Sequence, residues 1–240
     1  MMASYVMSDL HGRYPEYMAM LKKIAFSRGD RLYILGDVLN RGYGERLIFK
    51  DIMERNNISF IMGNHELDLL KRVETRQGLS GRKGSRLFKR LSSRDPVFAR
   101  DLLAYLKKAS YWAVVDRYVL VHAGVKNPEK LAHYKNIEAF MTNQKPLDLV
   151  WKSEQFYRQK GLEGYTVIFG HTPTCLMRHE CGQIWFEEKW QDKIGIDCGV
   201  FLPQHNGRLG CLRLEDRQVF YVSHFEAKYQ SGGETVHRTP

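Results

Sequence analysis

Two hydrophobic periods alternate along the first quarter of the chain, and this alternation leaves few folds open to it. Residues 4–9 (SYVMSD), 31–37 (RLYILGD) and 58–64 (ISFIMGN) are short apolar runs of strand type. Between them, 14–27 (YPEYMAMLKKIAFS) sets Tyr17, Met20, Leu21 and Ile24 at helical spacing, and 45–55 (ERLIFKDIMER) is also helical in pattern. The order strand, helix, strand, helix, strand predicts a parallel sheet covered by helices, because parallel neighbours need a crossover long enough to hold a helix. Helical, basic sequence follows from about Glu66 to Lys108. Residues 111–124 (YWAVVDRYVLVHAG) predict two strands about an Asp116-Arg117 turn. Residues 127–161 read as mostly helical, 165–173 (YTVIFGHTP) as a strand, and 183–223 as short strands and turns.

Every one of the longer strand runs stops at a polar residue. The first gives Asp9 and His11, the second Asp37, Asn40 and Arg41, the third Asn64 and His65; later runs give His122 and His171. In parallel α/β sheets, ligands bind outside the carboxyl ends of the strands. Carboxylate, amide and imidazole donors without thiolate suit manganese, iron or zinc, and do not suit a structural zinc site built from cysteines. The donors are too many for one ion. A pair of ions roughly 3.5–4 Å apart would use them, with Asp37, at mid-rim, offering an oxygen to each. Arg41, on the same turn, can fork onto two oxygens of a bound phosphate.

Composition enters where it excludes classes. No apolar run approaches the roughly 20 residues needed to span a bilayer, and the start lacks the pattern of a signal peptide. The four cysteines show no CxxC spacing and read as free thiols. The expectation is a cytoplasmic chain with no membrane contact. The net charge of +10 is unevenly spread: residues 71–100 hold ten Lys/Arg against one Glu and one Asp, which is +8. Such a run is either a solvated face or a patch that attracts anions. Arg82, Lys83 and Arg86 are its candidate substrate-binding cations, facing a nucleotide or RNA.

Read together, SDLHG (8–12), GDVLNRG (36–42), GNHE (63–66), VHAG (121–124) and FGHTPT (169–174) resemble the calcineurin-like metallophosphoesterases. More narrowly, they resemble the bacterial branch of the PPP serine/threonine phosphatases. IDCG (196–199) and GRLGCLRLED (207–216) extend the likeness over nearly the whole chain. The resemblance implies a four-layer α/β/β/α sandwich with a dimetal site at the strand carboxyl ends. It implies one such domain over 1–225, with a basic helical insert at about 71–108 and a frayed tail at 226–240. By position, Asp9, His11 and Asp37 would hold one ion, and Asp37, Asn64, His122 and His171 the other, both divalent, with manganese expected. Arg41, with Asn64, would bind phosphate. His65 would be the general acid that protonates the leaving group of an in-line hydrolysis, with residue 40 as its partner.

Two positions depart from the family pattern. The motif usually reads GDxxDRG, and its second Asp pairs with the catalytic histidine; here that residue is Asn40. An amide can orient an imidazole but cannot stabilise an imidazolium as a carboxylate does. Related bacterial sequences usually read LWxR where this chain has Trp151-Lys152-Ser153, so a phosphate-binding Arg is replaced by Ser153, with Lys152, Arg158 or an arginine of the basic segment as its substitute. The expected activity is a PPP-type phosphatase on phosphoserine/threonine or small phosphoesters. The alternatives are a hydrolase of dinucleoside polyphosphates, whose leaving group needs no proton, and a weakly catalytic metalloprotein that binds RNA or another polyanion.

Overall fold

The computed structural model describes residues 2–74, 85–151, 155–177 and 180–230. The alternation at the N-terminus folds as expected. Strands β1 (Ser4–Met7), β2 (Arg31–Leu35) and β3 (Ile58–Ile61) pair in parallel, and helices α1 (Tyr14–Lys23) and α2 (Glu45–Glu54) form the crossovers. On the far side of β1 the sheet is completed antiparallel by β9 (Arg208–Arg213) and β10 (Val219–Ser223), giving the order β10-β9-β1-β2-β3. A second sheet is built from β4 (Trp112–Val115), β5 (Tyr118–Val121), β6 (Thr166–Phe169), β7 (Trp185–Phe186) and β8 (Lys193–Gly195), in the order β4-β5-β6-β8-β7. Its first two strands are the hairpin read about Asp116-Arg117; Asp116 takes the left-handed conformation, at φ +51°, that the tight turn needs.

The period of two along each strand sorts side chains into three cores. Val6, Leu35 and Ile61 of the first sheet meet Leu120, Ile168 and Ile194 of the second, so the sheets pack face to face. The alternate residues Met7, Ile34 and Phe60 turn the other way and pack on Met20 of α1 and Phe49 of α2. The same outer core takes in Leu70 of α3 (Asn64–Glu74), Leu91 of α4 (Ser85–Arg94) and Leu102 of α5 (Pro96–Leu106). Behind the second sheet, Val119, Val121, Val167 and Phe169 pack on Phe140 of α6 (Ile137–Thr142), Leu149 of α7 (Pro146–Val150) and Phe156 of α8 (Gln155–Arg158). Helix, sheet, sheet, helix is therefore the layering. No helix among the described residues is long and apolar enough to cross a membrane.

The chain also holds structure past residue 225. Helix α9 (His224–Gln230) opens with a reciprocal cap: Ser223 Oγ accepts from Glu226 N at 3.1 Å, and Glu226 Oε2 accepts from Ser223 N at 2.9 Å. Ala227 is buried, and Lys23 of α1 donates to Glu226. The signal was the S-x-x-E in SHFE.

One charge lies deep in the second sheet. Lys193 is 1% exposed; its Nζ donates to Asp192 Oδ1 and to Gln159 O, and Trp190 lies beside it. Removing one partner of such a pair strands the other in low dielectric, at a cost of about 3–5 kcal/mol. Asp192→Ala is expected to lower the unfolding free energy by that amount in urea titration; a loss below about 1 kcal/mol would show that Gln159 O alone satisfies the ammonium.

Candidate metal centre

Parallel pairing brings the ends of β1, β2 and β3 level, and the loops that follow are strapped to one another. His11 N donates to Asp37 O at 2.8 Å and Gly12 N to Val38 O at 2.8 Å, which lays the β1 loop on the β2 loop. The β2 loop is held in turn by Glu66 in the first turn of α3. Its buried carboxylate accepts from Asp37 N and Leu39 N, both at 2.9 Å. Glycines permit the approach: a Cβ on Gly63 would lie 2.4 Å from Asp37 N, and one on Gly170, at the end of β6, 2.1 Å from Asp9 Oδ2. Twelve non-glycine residues have positive φ among the described residues, and six of them, Asp9, His11, Asp37, Asn40, Arg41 and His171, lie on this rim. Strain of this kind, on the order of 1 kcal/mol or more per residue, persists where surroundings over-determine the backbone.

The side chains converge as the motifs predict. His11, Asp37 and His65 form one group of potential donors within 4.8 Å of one another, and Asp37, His122 and His171 form another. Asp37 belongs to both, as a bridging carboxylate must. Asn64 Oδ1 lies 2.9 Å from His122 Nε2 and 2.9 Å from His171 Nδ1. Asp9 stands beside the first group: its Oδ1 is 3.9 Å from His11 Nε2, while its Oδ2 accepts from Ser8 Oγ and His171 N. The geometry thus sets His65, expected only as an acid, closer to the first group than Asp9.

These donors fit divalent cations. His122 Nδ1 donates to Leu35 O at 2.7 Å and His11 Nδ1 to Leu39 O at 3.1 Å, which turns each bare Nε2 lone pair inward. Burial, with Arg41 repelling the protonated form, brings His11 down to about 3; burial and His171 hold His122 well below the usual imidazole range. Both are therefore neutral, as ligands must be. His122 Nε2 then faces Asp37 Oδ1 at 3.5 Å with no proton between them. Asp9 Oδ1 is buried without a hydrogen bond. Burial, then the repulsion of Asp197, raises Asp9; burial, then the repulsion of Asp9, Glu66 and Asp197, raises Asp37. Lone pairs and negative charge crowd the space, and Arg41, Ser8 and the backbone N–H groups of His65 and His171 offset them only in part.

His65 and Arg41 stand at the mouth. Asn40 Nδ2 donates to His65 Nδ1 at 2.7 Å, and His65 Nε2 lies 3.6 Å from Asp37 Oδ2. Burial, then the charge of Arg41, brings His65 down to about 4. The Arg41 guanidinium lies 3.8 Å over the ring of Phe201, whose edge-on partner is His11 at 4.8 Å. A cleft of about 710 Å³ opens from here between the β2 loop and helices α3 and α4; Arg72 and Arg90, from the basic run, line it together with Arg41 and His65. Arg82, Lys83, Lys152 and Ser153 lie outside the described residues, as does the side chain of Arg86. Three contributors carried no role in the sequence reading. Glu66 and Asp197 stood inside quoted motifs, whereas Phe201 sits in an irregular loop that no periodicity marks.

A family model described as calcineurin-like phosphoesterase matches residues 2–199. The chain is 31% identical over 126 residues to the symmetrical bis(5'-nucleosyl)-tetraphosphatase of Nitrosomonas europaea, covering 52% of this chain and 45% of that protein. It is 33% identical over 132 residues to the protein of that name from Haemophilus ducreyi, covering 53% and 47%. The chain thus spans about half the length of the curated relatives it matches. Two solved structures share the fold. One, provisionally described as a diadenosine tetraphosphatase, has a TM-score of 0.58 at 20% identity over 92% of both chains. The other, a serine/threonine phosphatase from Saccharomyces cerevisiae, has a TM-score of 0.60 at 15% identity over 92% of this chain and 79% of that one.

A shared carboxylate at position 37 has a direct consequence. Asp37→Asn, equilibrated with Mn²⁺ and freed of excess, is expected to carry at least one ion fewer per chain than the parent by elemental analysis. Equal metal content in a folded variant would remove Asp37 from the bridging position.

Proposed function

The chain belongs to the calcineurin-like phosphoesterases, a family of metal-dependent phosphoester hydrolases, and from that premise we propose that it cleaves a phosphoanhydride inside a dinucleoside polyphosphate. The observation that carries this reading is the pairing of His65 with Asn40. Expelling an alkoxide from phosphoserine calls for a protonated acid beside the ester oxygen. At about 4, His65 is protonated in roughly one molecule in a thousand at pH 7. The Asn40 amide, donating to Nδ1, fits a neutral ring with its proton on Nε2. A nucleoside diphosphate ends in a group whose last ionisation falls near pH 6, so it departs as an anion without that proton. The curated relatives are named for tetraphosphate substrates cut symmetrically, and this supports the anhydride alternative over the protein-phosphatase reading that the motifs first suggest. The phosphatase neighbour shares the fold alone at 15% identity.

In this reading Asp9, His11 and Asp37 hold one divalent cation, and Asp37, Asn64, His122 and His171 the other. When bound, the cations supply Lewis-acid polarisation of the phosphoryl oxygens and a water of lowered pKa. Manganese is our expectation, from nitrogen and oxygen donors without thiolate. Arg41, flattened on Phe201, forks onto two oxygens of the phosphoryl group and fixes its orientation. His65 keeps its proton on Nε2 and donates a hydrogen bond from there. Glu66 holds the β2 loop so that Asp37 and Arg41 keep their spacing. Attack at a central phosphorus converts a dinucleoside tetraphosphate and one water into two nucleoside diphosphates.

With Mn²⁺, diadenosine tetraphosphate is expected to give ADP as its sole nucleotide product by anion-exchange analysis, with kcat/KM at least about a hundredfold above that for a phosphoserine peptide. ATP plus AMP, or a faster phosphopeptide, would overturn the proposal. Asn40→Asp supplies a carboxylate to accept from His65 Nδ1–H, which favours the imidazolium and raises its pKa. Alkyl phosphate hydrolysis should then rise about 10- to 100-fold and persist to higher pH, while p-nitrophenyl phosphate hydrolysis changes less than about threefold. Equal factors for both substrates would mean that residue 40 does not control an acid.

A further inference from the structure

Two large aromatic rings stand in solvent beside the metal centre, one at each end. Tyr43 is 90% exposed. It follows Arg41 by two residues and lines the same 710 Å³ cleft as His65, Arg72 and Arg90. Arg90 lies 5.4 Å from the centre of the Tyr43 ring and is itself anchored by the buried carboxylate of Glu45. Trp151 is 53% exposed, and its ring stands edge-on to that of His171 at 5.5 Å. It caps α7, with its N–H bonded to Leu147 O. His65 belongs to one donor group and His171 to the other, with Asp37 common to both. Tyr43 thus lies on the side of the first donor group, with His65, and Trp151 on the side of the second, with His171.

An aromatic side chain left in water gains nothing by packing, and each of these lies where a substrate reaching beyond the metals would pass. We propose that Tyr43 and Trp151 are stacking platforms for the two nucleosides of one dinucleoside polyphosphate, whose central phosphates lie over the donor row. This rests on the dinucleoside reading above. Arg72 and Arg90 are paired to Asp68 and Glu45 of the same wall, and with Arg41 the cations still outnumber the carboxylates, leaving the cleft beside Tyr43 net positive toward an adjoining phosphate. Stacking tolerates any base, because every base has a π face, so the class is dinucleoside polyphosphates in general. With both ends held, the bond presented to the metals is an internal one, and a dinucleoside tetraphosphate cut at its centre with one water yields two nucleoside diphosphates.

The test compares Tyr43→Ala, Tyr43→Phe, Trp151→Ala and Trp151→Phe in the metal-loaded protein. The measured quantity is kcat/KM for diadenosine tetraphosphate divided by that for p-nitrophenyl phosphate, which has no nucleoside. Each Ala variant is expected to lower this ratio about tenfold, and each Phe variant, which keeps the ring, to hold it within about twofold. Ala variants that slow both substrates by one factor would overturn the platforms while leaving the anhydride activity standing. A second readout does not require tetraphosphate cleavage: inhibition of p-nitrophenyl phosphate hydrolysis by ADP compared with pyrophosphate, which shares its diphosphate. ADP should bind more tightly in the parent and lose that advantage in Tyr43→Ala or Trp151→Ala. That result in a protein inert to the tetraphosphate would keep the platforms and overturn the proposed substrate; no advantage of ADP in the parent would overturn the platforms.

Discussion

Crowded negative charge is the constraint on which the rest of this structure depends. Asp9, Asp37, Glu66 and Asp197 are all buried where the two sheets meet, and Asp37 feels the other three. Carboxylates brought this close in low dielectric drive each other toward protonation. Burial raises Glu66 too, and the two backbone N–H groups it accepts from oppose that rise. Asp9 and Asp37 each keep at least one oxygen turned toward the donor row. Beside the Glu66 carboxylate, the fold holds this arrangement through backbone: loops strapped to each other, glycines where Cβ atoms would collide, and six left-handed residues at one rim. The left-handed residues and the crowded carboxylates are unfavourable on their own, and cations would offset that charge.

Much of this was legible in the sequence because its causes are local. Strand period and helix period are set by side-chain direction, so the parallel β1-β2-β3 unit and the hairpin at Asp116-Arg117 could be read directly. Polar residues at strand ends gave the donors, since a parallel sheet puts those ends on one side. The layering came only through the family likeness. Nothing local says that β9 and β10 return to the far side of β1, or that Val6 faces Ile168 across two sheets. Lys193 looked like any strand-end lysine, and its burial depends on Asp192 and Gln159 meeting it from separate loops. Phe201 lies 160 residues from Arg41 in sequence, and only the folded chain stacks them. Tyr43 and Trp151 were hidden for another reason: their meaning lies in what they fail to bury.

The substitution at position 40 shows how one atom can redirect a site. A carboxylate there would favour a charged ring at His65, whereas the amide gives a hydrogen-bond donor that suits the neutral one. Burial and the nearby Arg41 push the same way. Arg41, proposed to hold a phosphate, thus also discharges the histidine beside it. In the proposed function the two roles together suit a leaving group that is already a stable anion.

Helix α3 touches both halves of the site. Its first residues are Asn64, His65 and Glu66, and one or two turns further on it presents Asp68 and Arg72 to the cleft. A single helix therefore bears Asn64 and His65 of the donor row at one end and a wall of the cleft along its side. Whatever fixes the helix at either place restricts it at the other, and thermodynamic linkage makes such an effect reciprocal: if cations tighten substrate binding, substrate tightens the hold on cations by the same factor. The protein would then meet scarce metal and scarce substrate as one joint condition, answering their product more steeply than either concentration alone.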